Sequence, residues 1–340
     1  MPEMSFVLVG ADTLAGESAL RLFEKMLPAA LPQADHQPVL LGGDPNDDVT
    51  VVFSGEELVV QKLANYSFVA GQVVICVGDA GLAESAFSMA QSAGAMVIDA
   101  TPFSRCQDHA RLVHPAVNLE ELVSLQQNNV VSVPSDVAMA LVPLLQAFRQ
   151  LGGMARIDMN CSVPVSSFGF EGVAELAGQT NRMLNGLPAE NVKFADQIAF
   201  NLLPLADTQQ GDAATLVREI IALTGLEELP IYASCMIVPV FYGQIVQLSV
   251  TLEWEVELRD AIDVLEGVPG LKVVFDDAEE CVTPVTLVGA DDEERQLVHI
   301  WGLTVRNNVL RMWVVFDNAY SGSVNGAFKL YQQLIAEFQQ

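Results

Sequence analysis

The sequence predicts an α/β protein built from two domains, and three features of the chain support this. It opens with a strand, SFVLVG, which is followed by a glycine turn and a helical segment. The β-rich segments QVVICVG and AMVIDAT flank a stretch of helical spacing, and such alternation indicates a parallel sheet with right-handed crossovers. After about residue 150 the chain changes to longer alternating segments, which are typical of an antiparallel or mixed sheet.

The two domains are therefore expected to differ in architecture. The first is predicted to be Rossmann-like and to span residues 1–130, with VTVVFS at 49–54 as a further strand and a C-terminal helix at about 321–340 packing back on it. The second is predicted to be of the α+β type and to span residues 131–320, with helices near 170–185, 213–224 and 257–266.

Composition limits the partners of this protein. The 340 residues include 43 acidic and 16 basic side chains, which gives a formal net charge of −27. Such a charge repels nucleic acids and anionic membrane surfaces. No segment approaches the roughly 20 apolar residues of a membrane helix, and MPEMSFVLVG has no basic region before its apolar run. We therefore expect a cytoplasmic protein that binds neither nucleic acid nor membrane.

The cysteines and histidines do not predict a metal site. The five cysteines are scattered without any C-x-x-C spacing, which fits reduced thiols. The four histidines form no H-E-x-x-H or similar pattern. No bound metal is expected.

The glycine turn GADTLAG has part of a dinucleotide-binding fingerprint. Gly10 and Gly16 have its outer spacing, between a strand and a helix. The middle position, where glycine lets the backbone approach a pyrophosphate, has Thr13, and the carboxylate of Asp12 is unfavourable beside phosphates. The turn is thus either a nucleotide site or a βα turn that binds nothing. The acids of GGDPNDD, after the next strand, should reject a 2′-phosphate, while Asp44 could hold an unphosphorylated ribose.

A second turn precedes the helix that starts within SVPSDVAMAL. A helix N-terminus lowers the pKa of a thiol and suits a reactive cysteine, but this helix starts at Asp136, whose carboxylate attacks carbonyls poorly. From this segment alone, Ser135 or Asp136 is interpreted as a helix cap.

Several segments together resemble one family, the aspartate-semialdehyde dehydrogenases, which are NADP-dependent, phosphate-using enzymes that make an aldehyde from aspartyl phosphate. The resemblance covers nearly the whole chain, and its most specific segments are QIAFNLLP and VPVFYG. The other segments are GADTLAG, VIDATPFSR, HPAVN, SVPSDVAMAL and DNAYSGSVNGA. The resemblance implies an inherited fold and a homodimer built by the second domain.

The resemblance also implies that three catalytic positions are replaced. Alignment on Pro134 puts Asp136 at the position of the family's nucleophilic cysteine, and Gln244 at that of its acid/base histidine. Ile237 takes the position of the arginine that clamps the substrate carboxylate. An amide cannot exchange a proton near neutral pH, and an alkyl side chain offers no charge to the substrate.

Other family positions are divided between match and mismatch. Arg105, Asn118 and Glu219 match residues of the family, and Arg105 corresponds to an arginine associated with the phosphate or substrate anion. Four residues before Glu219, where the family has a lysine, this chain has Thr215. We expect NAD or NADP binding to be weak or absent, with NADP bound less well than NAD. The cofactor-binding positions implied are Gly10, Asp12, Thr13, Leu14, Gly16 and Asn318.

Three functions follow from these observations. The first is a degenerate, non-catalytic branch of the family, which keeps the dimeric fold and has an unknown ligand and role. The second is an NAD(P)-dependent oxidoreductase acting on an aldehyde or acyl phosphate in amino-acid biosynthesis, with Cys161 of NCSVPVSS as its thiol, although a buried cysteine is also an ordinary small hydrophobe. The third is an interaction protein whose acidic surface recruits a basic partner.

Overall fold

Two compact units make up the chain in the computed structural model, which describes residues 6–30, 37–43, 49–107, 110–205, 212–275 and 281–338. The first unit comprises Met1–Ser135 together with Ser323–Gln340, and the second comprises Asp136–Gly322. No helix in the described ranges is long and apolar enough to span a lipid bilayer.

The first unit contains a seven-stranded parallel sheet with the strand order β5-β2-β1-β6-β7-β9-β8. Its helices and strands are β1 (Phe6–Val9), α1 (Leu14–Ala30), β2 (Val39–Gly42), β3 (Thr50–Phe53), β4 (Glu56–Val59), β5 (Gln61–Lys62), β6 (Val73–Cys76), α2 (Ala80–Ala93), β7 (Met96–Asp99), β8 (Arg111–Leu112), α3 (Ser124–Asn128), β9 (Val130–Ser132) and the last helix of the chain, α11 (Ser323–Phe338).

Short apolar strands and capped helices form this unit. The central strands are fully buried, as expected where helices cover both faces of a parallel sheet. Asp79 caps α2 by accepting a hydrogen bond from the amide of Leu82 at 2.7 Å, and Gly94 ends it in the left-handed conformation, with φ +73°. The predicted Rossmann-like architecture is confirmed.

The last helix, α11, packs within the first unit. Aromatic contacts join it to the beginning of the chain: the rings of Phe23 and Phe328 lie 5.1 Å apart, as do those of Phe6 and Tyr331. These four side chains are buried, so α1, β1 and α11 share one apolar core.

The segment VTVVFS forms a strand, but the strand does not belong to the parallel sheet. β3 pairs with β4 in a separate two-stranded antiparallel sheet. Ser54 and Gly55 between them have φ values of +51° and +82°, which are those of a two-residue hairpin turn. The alternating pattern of strands and helices predicted that this segment would join the parallel sheet, and that prediction is wrong. The tight turn reverses the chain, so that β3 pairs with the next strand instead.

The second unit contains a seven-stranded mixed sheet with the order β11-β12-β10-β13-β16-β15-β14. Its helices and strands are α4 (Asp136–Phe148), β10 (Met154–Pro164), α5 (Gly169–Leu184), β11 (Leu203–Pro204), α6 (Ala213–Thr224), β12 (Ile231–Val238), β13 (Gln244–Leu252), α7 (Leu258–Glu266), β14 (Leu271–Val274), α8 (Pro284–Val288), α9 (Asp292–Arg295), β15 (Val298–Arg306), β16 (Val309–Phe316) and α10 (Asn318–Ser321).

The two faces of this second sheet differ in burial. Along β13, every second residue from Gln244 to Leu252 is buried and the residues between them are half-buried. The apolar helix α4 contacts α6, α7 and β16, while α6 contacts β12, so these helices cover the buried face. The predicted α+β architecture of the second domain is confirmed, and the opposite face of its sheet is partly open to solvent.

Candidate functional site

The turn between β1 and α1, which carries the predicted nucleotide-binding residues, is closed on itself. The hydroxyl of Thr13 donates to the carbonyl of Gly10 at 2.6 Å and accepts from the amide of Gly16 at 3.0 Å. Gly10 has φ +88°, and a Cβ on it would lie 3.2 Å from the carbonyl carbon of Val77. A Cβ on Gly16 would lie 2.7 Å from the Cα of Ala11. Local packing therefore requires both glycines.

Asp12 extends from this turn to the end of β2. Its Oδ2 accepts a hydrogen bond from the amide of Gly43 at 3.2 Å, and its Cγ would lie 2.6 Å from a Cβ on Gly42. Its Oδ1 is buried and has no hydrogen-bond partner among the residues that the structure describes. Leu14, the first residue of α1, is buried at 8% exposure. Asp44, the alternative ribose ligand, lies outside the described residues.

Arg105 binds two backbone carbonyls of the first unit. Its Nε donates to Val133 at 2.9 Å and its Nη2 donates to Ala100 at 2.6 Å. The buried Asp99 stabilises the same loop, because its carboxylate accepts a hydrogen bond from the amide of Ser104 at 3.0 Å. Arg105 thus joins the loop after β7 to the segment after β9, and its role toward an anion stays a prediction.

Asn118 closes the HPAVN loop. Its Oδ1 accepts from the amide of His114 at 2.7 Å, and its Nδ2 donates to the carbonyl of Leu112 at 3.0 Å. Both ends of the amide are therefore engaged by the backbone. A substrate-binding role for Asn118 also stays a prediction.

Asp136 is the first residue of α4, in the second unit. Its carboxylate lies against the backbone of Gly322, where its Cγ would be 2.8 Å from a Cβ on that glycine. Gly322 directly follows the short helix α10. The N-terminus of α4 and the end of α10 are therefore in contact, and the carboxylate fills the space between them.

Gln244 is the first residue of β13, and Asn318, the first residue of α10, contacts the glycine just before that strand. The side-chain oxygen of Asn318 accepts from the amide of Gly243 at 3.0 Å, and its Nδ2 lies 3.5 Å from the hydroxyl of Ser166. Gln244 is buried at 3% exposure and pairs across the sheet with Phe316. Its Oε1 has no hydrogen-bond partner within the described part of the chain. A buried amide oxygen of this kind is uncommon, because it costs free energy when it loses its water.

Ile237 lies within the sheet, at the end of β12. It pairs with Val163 on one side and Leu203 on the other, and it is 5% exposed. Its surroundings are apolar, so the position offers no charge to an anionic ligand.

Glu219 is on α6 and is buried at 2% exposure. One turn earlier, Thr215 contributes an amide that donates to the cap residue Asp212 at 2.6 Å, and its hydroxyl accepts from Arg218 at 2.9 Å. Thr215 therefore helps to begin the helix, and its short side chain carries no charge.

The sequence interpretation missed a charged cluster around α10. Asp317 is fully buried and accepts from the Nε of Arg295 at 2.7 Å. The guanidinium of Arg295 stacks on the ring of Tyr320, 3.7 Å from its centre. Asp317 and Tyr320 lie within the DNAYSG motif, but no sequence pattern connects them with Arg295, which lies on a separate helix.

It also missed a buried polar pair on α5. The amide oxygen of Gln179 accepts from the amides of Ile198 and Ala199 at 2.9 and 3.0 Å. Glu175 accepts from its neighbour Gln179 at 2.9 Å and from the amide of Val192 at 3.1 Å. These two side chains hold the irregular segment that leads into QIAFNLLP. Their i, i+4 spacing was the available signal, but it is equally typical of an exposed helix face.

Cys161, the thiol of the alternative enzyme, lies in the core of the second unit. It faces Cys235 on the neighbouring strand and is fully buried. The hydrogen bond with Cys235, together with burial, raises the pKa of the Cys161 thiol well above its ordinary value. A thiol of this kind is mostly protonated at neutral pH and is a poor nucleophile.

The predicted residues thus form separate groups within each unit. In the first unit, Gly10, Asp12, Thr13, Leu14 and Gly16 share one turn. In the second unit, Asp136 contacts the end of α10, and Asn318 at its start contacts Gly243. Among the described residues, no group of three or more His, Cys, Asp or Glu side chains is placed to hold a metal ion.

Comparisons with known proteins define the class of this chain. Residues 141–320 match the family profile described as semialdehyde dehydrogenase, dimerisation domain. The crystal structure of aspartate semialdehyde dehydrogenase II complexed with ASA from Vibrio cholerae has a TM-score of 0.88 and 25% identity, and covers 99% of this chain and 100% of that chain. The fold is therefore that of a semialdehyde dehydrogenase.

Relatives of known sequence extend the similarity to both units. Aspartate-semialdehyde dehydrogenase 2 of Vibrio cholerae is 28% identical, and the USG-1 protein homolog of Azotobacter vinelandii is 30% identical; each alignment covers 99% of both chains. The chain belongs to the aspartate-semialdehyde dehydrogenase family. The family resemblance predicted from the sequence is confirmed, while the loss of activity stays a prediction.

Proposed function

We propose that this protein is a dimeric, non-catalytic member of the aspartate-semialdehyde dehydrogenase family, located in the cytoplasm. The observation that carries the proposal is the replacement of three family residues with different roles. By the resemblance, Asp136 replaces the nucleophile, Gln244 the acid/base and Ile237 the substrate-binding arginine. Loss of a nucleophile or of an acid/base group each costs orders of magnitude in rate, so reversal of one replacement is not expected to restore activity.

The surroundings of these residues support the proposal. Ile237 pairs with Val163 and Leu203 in the sheet and is buried, and its alkyl side chain offers no charge to the carboxylate of a substrate. Gln244 is a buried amide, and Asp136 is in contact with Gly322. By the resemblance, the three positions therefore supply no thiol, imidazole or guanidinium group for the family's chemistry.

The alternative of a changed enzyme has less support. It requires a reactive thiol, and burial together with the hydrogen bond to Cys235 keeps the pKa of Cys161 high. It also requires a dinucleotide, and the turn at Thr13 uses its own hydroxyl and the amide of Gly16 internally. We expect NAD to bind weakly and NADP to bind less well, because acidic residues follow β2 in the sequence.

A homodimer is supported by the open face of the second sheet. Tyr232 and Trp313 are 56% and 40% exposed on this face, and Arg156 lies 4.5 Å above the ring of Tyr232. Between them, the amide of Asn160 donates to Gln247 at 3.1 Å. Aromatic side chains of this size, exposed beside a polar row, are typical of a protein interface. The matching family profile is itself described as a dimerisation domain.

The decisive experiment is an activity assay with engineered variants. Wild type, Asp136→Cys and the triple variant Asp136→Cys/Gln244→His/Ile237→Arg are assayed with aspartate semialdehyde, phosphate and either nicotinamide cofactor. We expect no turnover by wild type or by the single variant, because a thiolate alone can neither hold the substrate nor exchange the proton. The triple variant is the smallest change expected to give measurable turnover.

Two results would count against the proposal. Robust turnover by wild type would show that other residues supply the chemistry, and turnover by Asp136→Cys alone would show that the remaining site is intact. Circular dichroism of each variant confirms that inactivity is not caused by unfolding.

A further inference from the structure

Asn185 and Gly186 form one of the two Asn-Gly pairs of the sequence, at the end of α5. Both residues follow the last helical residue directly, and both are exposed. The other pair, Asn325 and Gly326, lies within α11, where Asn325 is 2% exposed. The chain therefore contains the same dipeptide once in an open place and once in a buried one.

An Asn-Gly pair can convert itself without an enzyme. The backbone nitrogen of the glycine bonds to the side-chain carbonyl carbon of the asparagine, the bond from that carbon to Nδ2 breaks, and ammonia leaves with the proton of the glycine amide. Water then opens the resulting succinimide ring at either carbonyl, which gives aspartate or isoaspartate, and no oxidant or reductant is needed. Glycine favours the reaction because it has no side chain beside the attacking nitrogen and restricts the backbone least.

The backbone around Gly186 leaves space for this reaction. Gly186 has φ +72°, and apart from its neighbours in the chain no atom of the described residues lies within 4 Å of the place that a Cβ on it would take. Ring closure requires rotation about the Cα–C bond of Asn185, whose ψ is 11°. An exposed glycine without packing neighbours opposes that rotation little.

The hydrogen bonds of this pair belong to the last turn of α5. The amide of Gly186 donates to the carbonyl of Met183 at 3.0 Å, and the Nδ2 of Asn185 donates to the carbonyl of Asn181 at 2.8 Å. Both bonds must open before the ring can close. The ends of helices fray at a free-energy cost near zero, whereas buried positions open at a cost closer to that of global unfolding. Folding should therefore slow the reaction little at Asn185 and strongly at Asn325.

We propose that Asn185 is a site of spontaneous deamidation, which converts it to aspartate or isoaspartate as the protein ages. The product carries one more negative charge, placed between Leu184 and Leu187, which are 76% and 52% exposed. In isoaspartate the backbone also contains one more carbon atom. The inference does not depend on the absence of dehydrogenase activity, since it concerns a surface turn of the second unit.

Timed incubation of the full chain at mildly alkaline pH, followed by peptide mass spectrometry, tests the inference. The readout is the small mass gain that accompanies replacement of the amide NH₂ by OH. In concentrated guanidinium chloride both Asn-Gly pairs should convert at similar rates, which sets the rate of the unfolded chain. In the native protein, Asn185 should stay within about tenfold of that rate, while Asn325 should be slower by about a hundredfold or more. Ion-exchange chromatography should separate the modified chain as a more acidic form.

Two variants and one internal control assign the effect to this pair. Gly186→Ala puts a methyl group beside the attacking nitrogen and should slow conversion of Asn185 by about tenfold or more, in the native and in the unfolded protein. Asn185→Gln lengthens the side chain, so that the five-membered ring cannot form, and should abolish conversion at this position. Asn181 is the matched control, because it is exposed on the same helix but precedes Arg182, and it should convert much more slowly than Asn185.

Several outcomes would overturn the inference. Asn185 of the native protein might stay unmodified over the time in which the unfolded chain converts, or Asn181 might convert as fast as Asn185. Equal native rates at Asn185 and Asn325, or an unchanged rate in Gly186→Ala, would also contradict it. None of these results bears on the activity assay, so failure here leaves the proposed function standing.

Discussion

The Asp136 carboxylate occupies the space that a side chain on Gly322 would need, with the Asp136 Cγ 2.8 Å from the position of a Cβ on that glycine. The carbonyl oxygen of Asn318 also approaches this position closely. Gly322 does not require a left-handed backbone, since its φ is −88°. The glycine is therefore needed for space alone.

The first prediction follows from this contact. Gly322→Ala should lower the free energy of unfolding by about 1–3 kcal/mol, as small-to-large changes in packed sites do. In an Asp136→Ala background the cost should be smaller, because one of the two obstacles is removed. Denaturant unfolding of the wild type, both single variants and the double variant measures the coupling. Equal costs in the two backgrounds would show that Asp136 does not limit this position.

The second prediction concerns the reactivity of a thiol at the start of α4. In a Cys281→Ser background, which removes an exposed native cysteine, Asp136→Cys should be alkylated faster than the remaining cysteines. The helix N-terminus lowers the pKa of this thiol, whereas burial, followed by the charge of Asp99, raises that of Cys76. Mass spectrometry after timed iodoacetamide treatment gives the order of labelling. Faster labelling of a native cysteine would contradict the prediction.

A third prediction tests the dimer face. Wild type should sediment at about twice the 36.7 kDa chain mass at micromolar concentration. Trp313→Asp places a charge on the open face of the second sheet and should shift the protein to monomer. Trp254→Asp is the matched control, because Trp254 is 68% exposed and follows the end of β13. A dimer that survives Trp313→Asp would place the interface elsewhere.

The fourth prediction is a pH dependence of stability. Burial raises the pKa of Asp99 above its ordinary value, against opposing hydrogen bonds from Ser104 and Thr101. A carboxyl whose folded pKa is raised contributes stability below the unfolded pKa and loses it as the pH rises through the folded pKa. From about pH 4 upward, wild type should therefore lose stability relative to Asp99→Asn. Thermal unfolding of wild type and Asp99→Asn at several pH values measures their difference in stability. If wild type instead became more stable than Asp99→Asn as the pH rises, the folded protein would favour the ionised carboxylate, which would contradict the prediction.

The fifth prediction concerns the polar pair on α5. Gln179→Leu leaves the amides of Ile198 and Ala199 without an acceptor and should cost about 1–3 kcal/mol of stability. Asn181→Ala on the same helix removes an exposed amide and should cost much less, within about 0.5 kcal/mol. Chemical unfolding of both variants gives the comparison. Equal effects would mean that the segment is held by other contacts.

Sequence periodicity predicted the fold class because burial follows directly from side-chain pattern. The alternation in QIVQLSVTLEWEV was enough to predict β13, and the glycines of GADTLAG were enough to predict the turn after β1. Partner choice was not predictable in the same way. VTVVFS is extended as expected, but nothing in its composition says that its partner is the next strand rather than the parallel sheet.

The candidate site shows the same limit at the level of side chains. A motif identifies Arg105, but its sequence does not reveal that its guanidinium binds the carbonyls of Ala100 and Val133. Likewise, the sequence alone shows that the charge of Asp12 is unfavourable beside a phosphate. Its hydrogen bond with the amide of Gly43, however, depends on how the ends of β1 and β2 lie next to each other. Long-range contacts of single side chains need coordinates.

The contacts of α11 with Phe6 and Phe23 also have a consequence for how the protein is made. The first unit takes its last helix from the end of the chain, whereas Asp136–Gly322 is continuous. During synthesis, the second unit can therefore fold while the first still lacks Phe328 and Tyr331 from its core. Until α11 has been synthesised, the apolar face of α1 that packs against it stays exposed in the nascent first unit. We therefore expect a chaperone to bind the chain mainly during this interval.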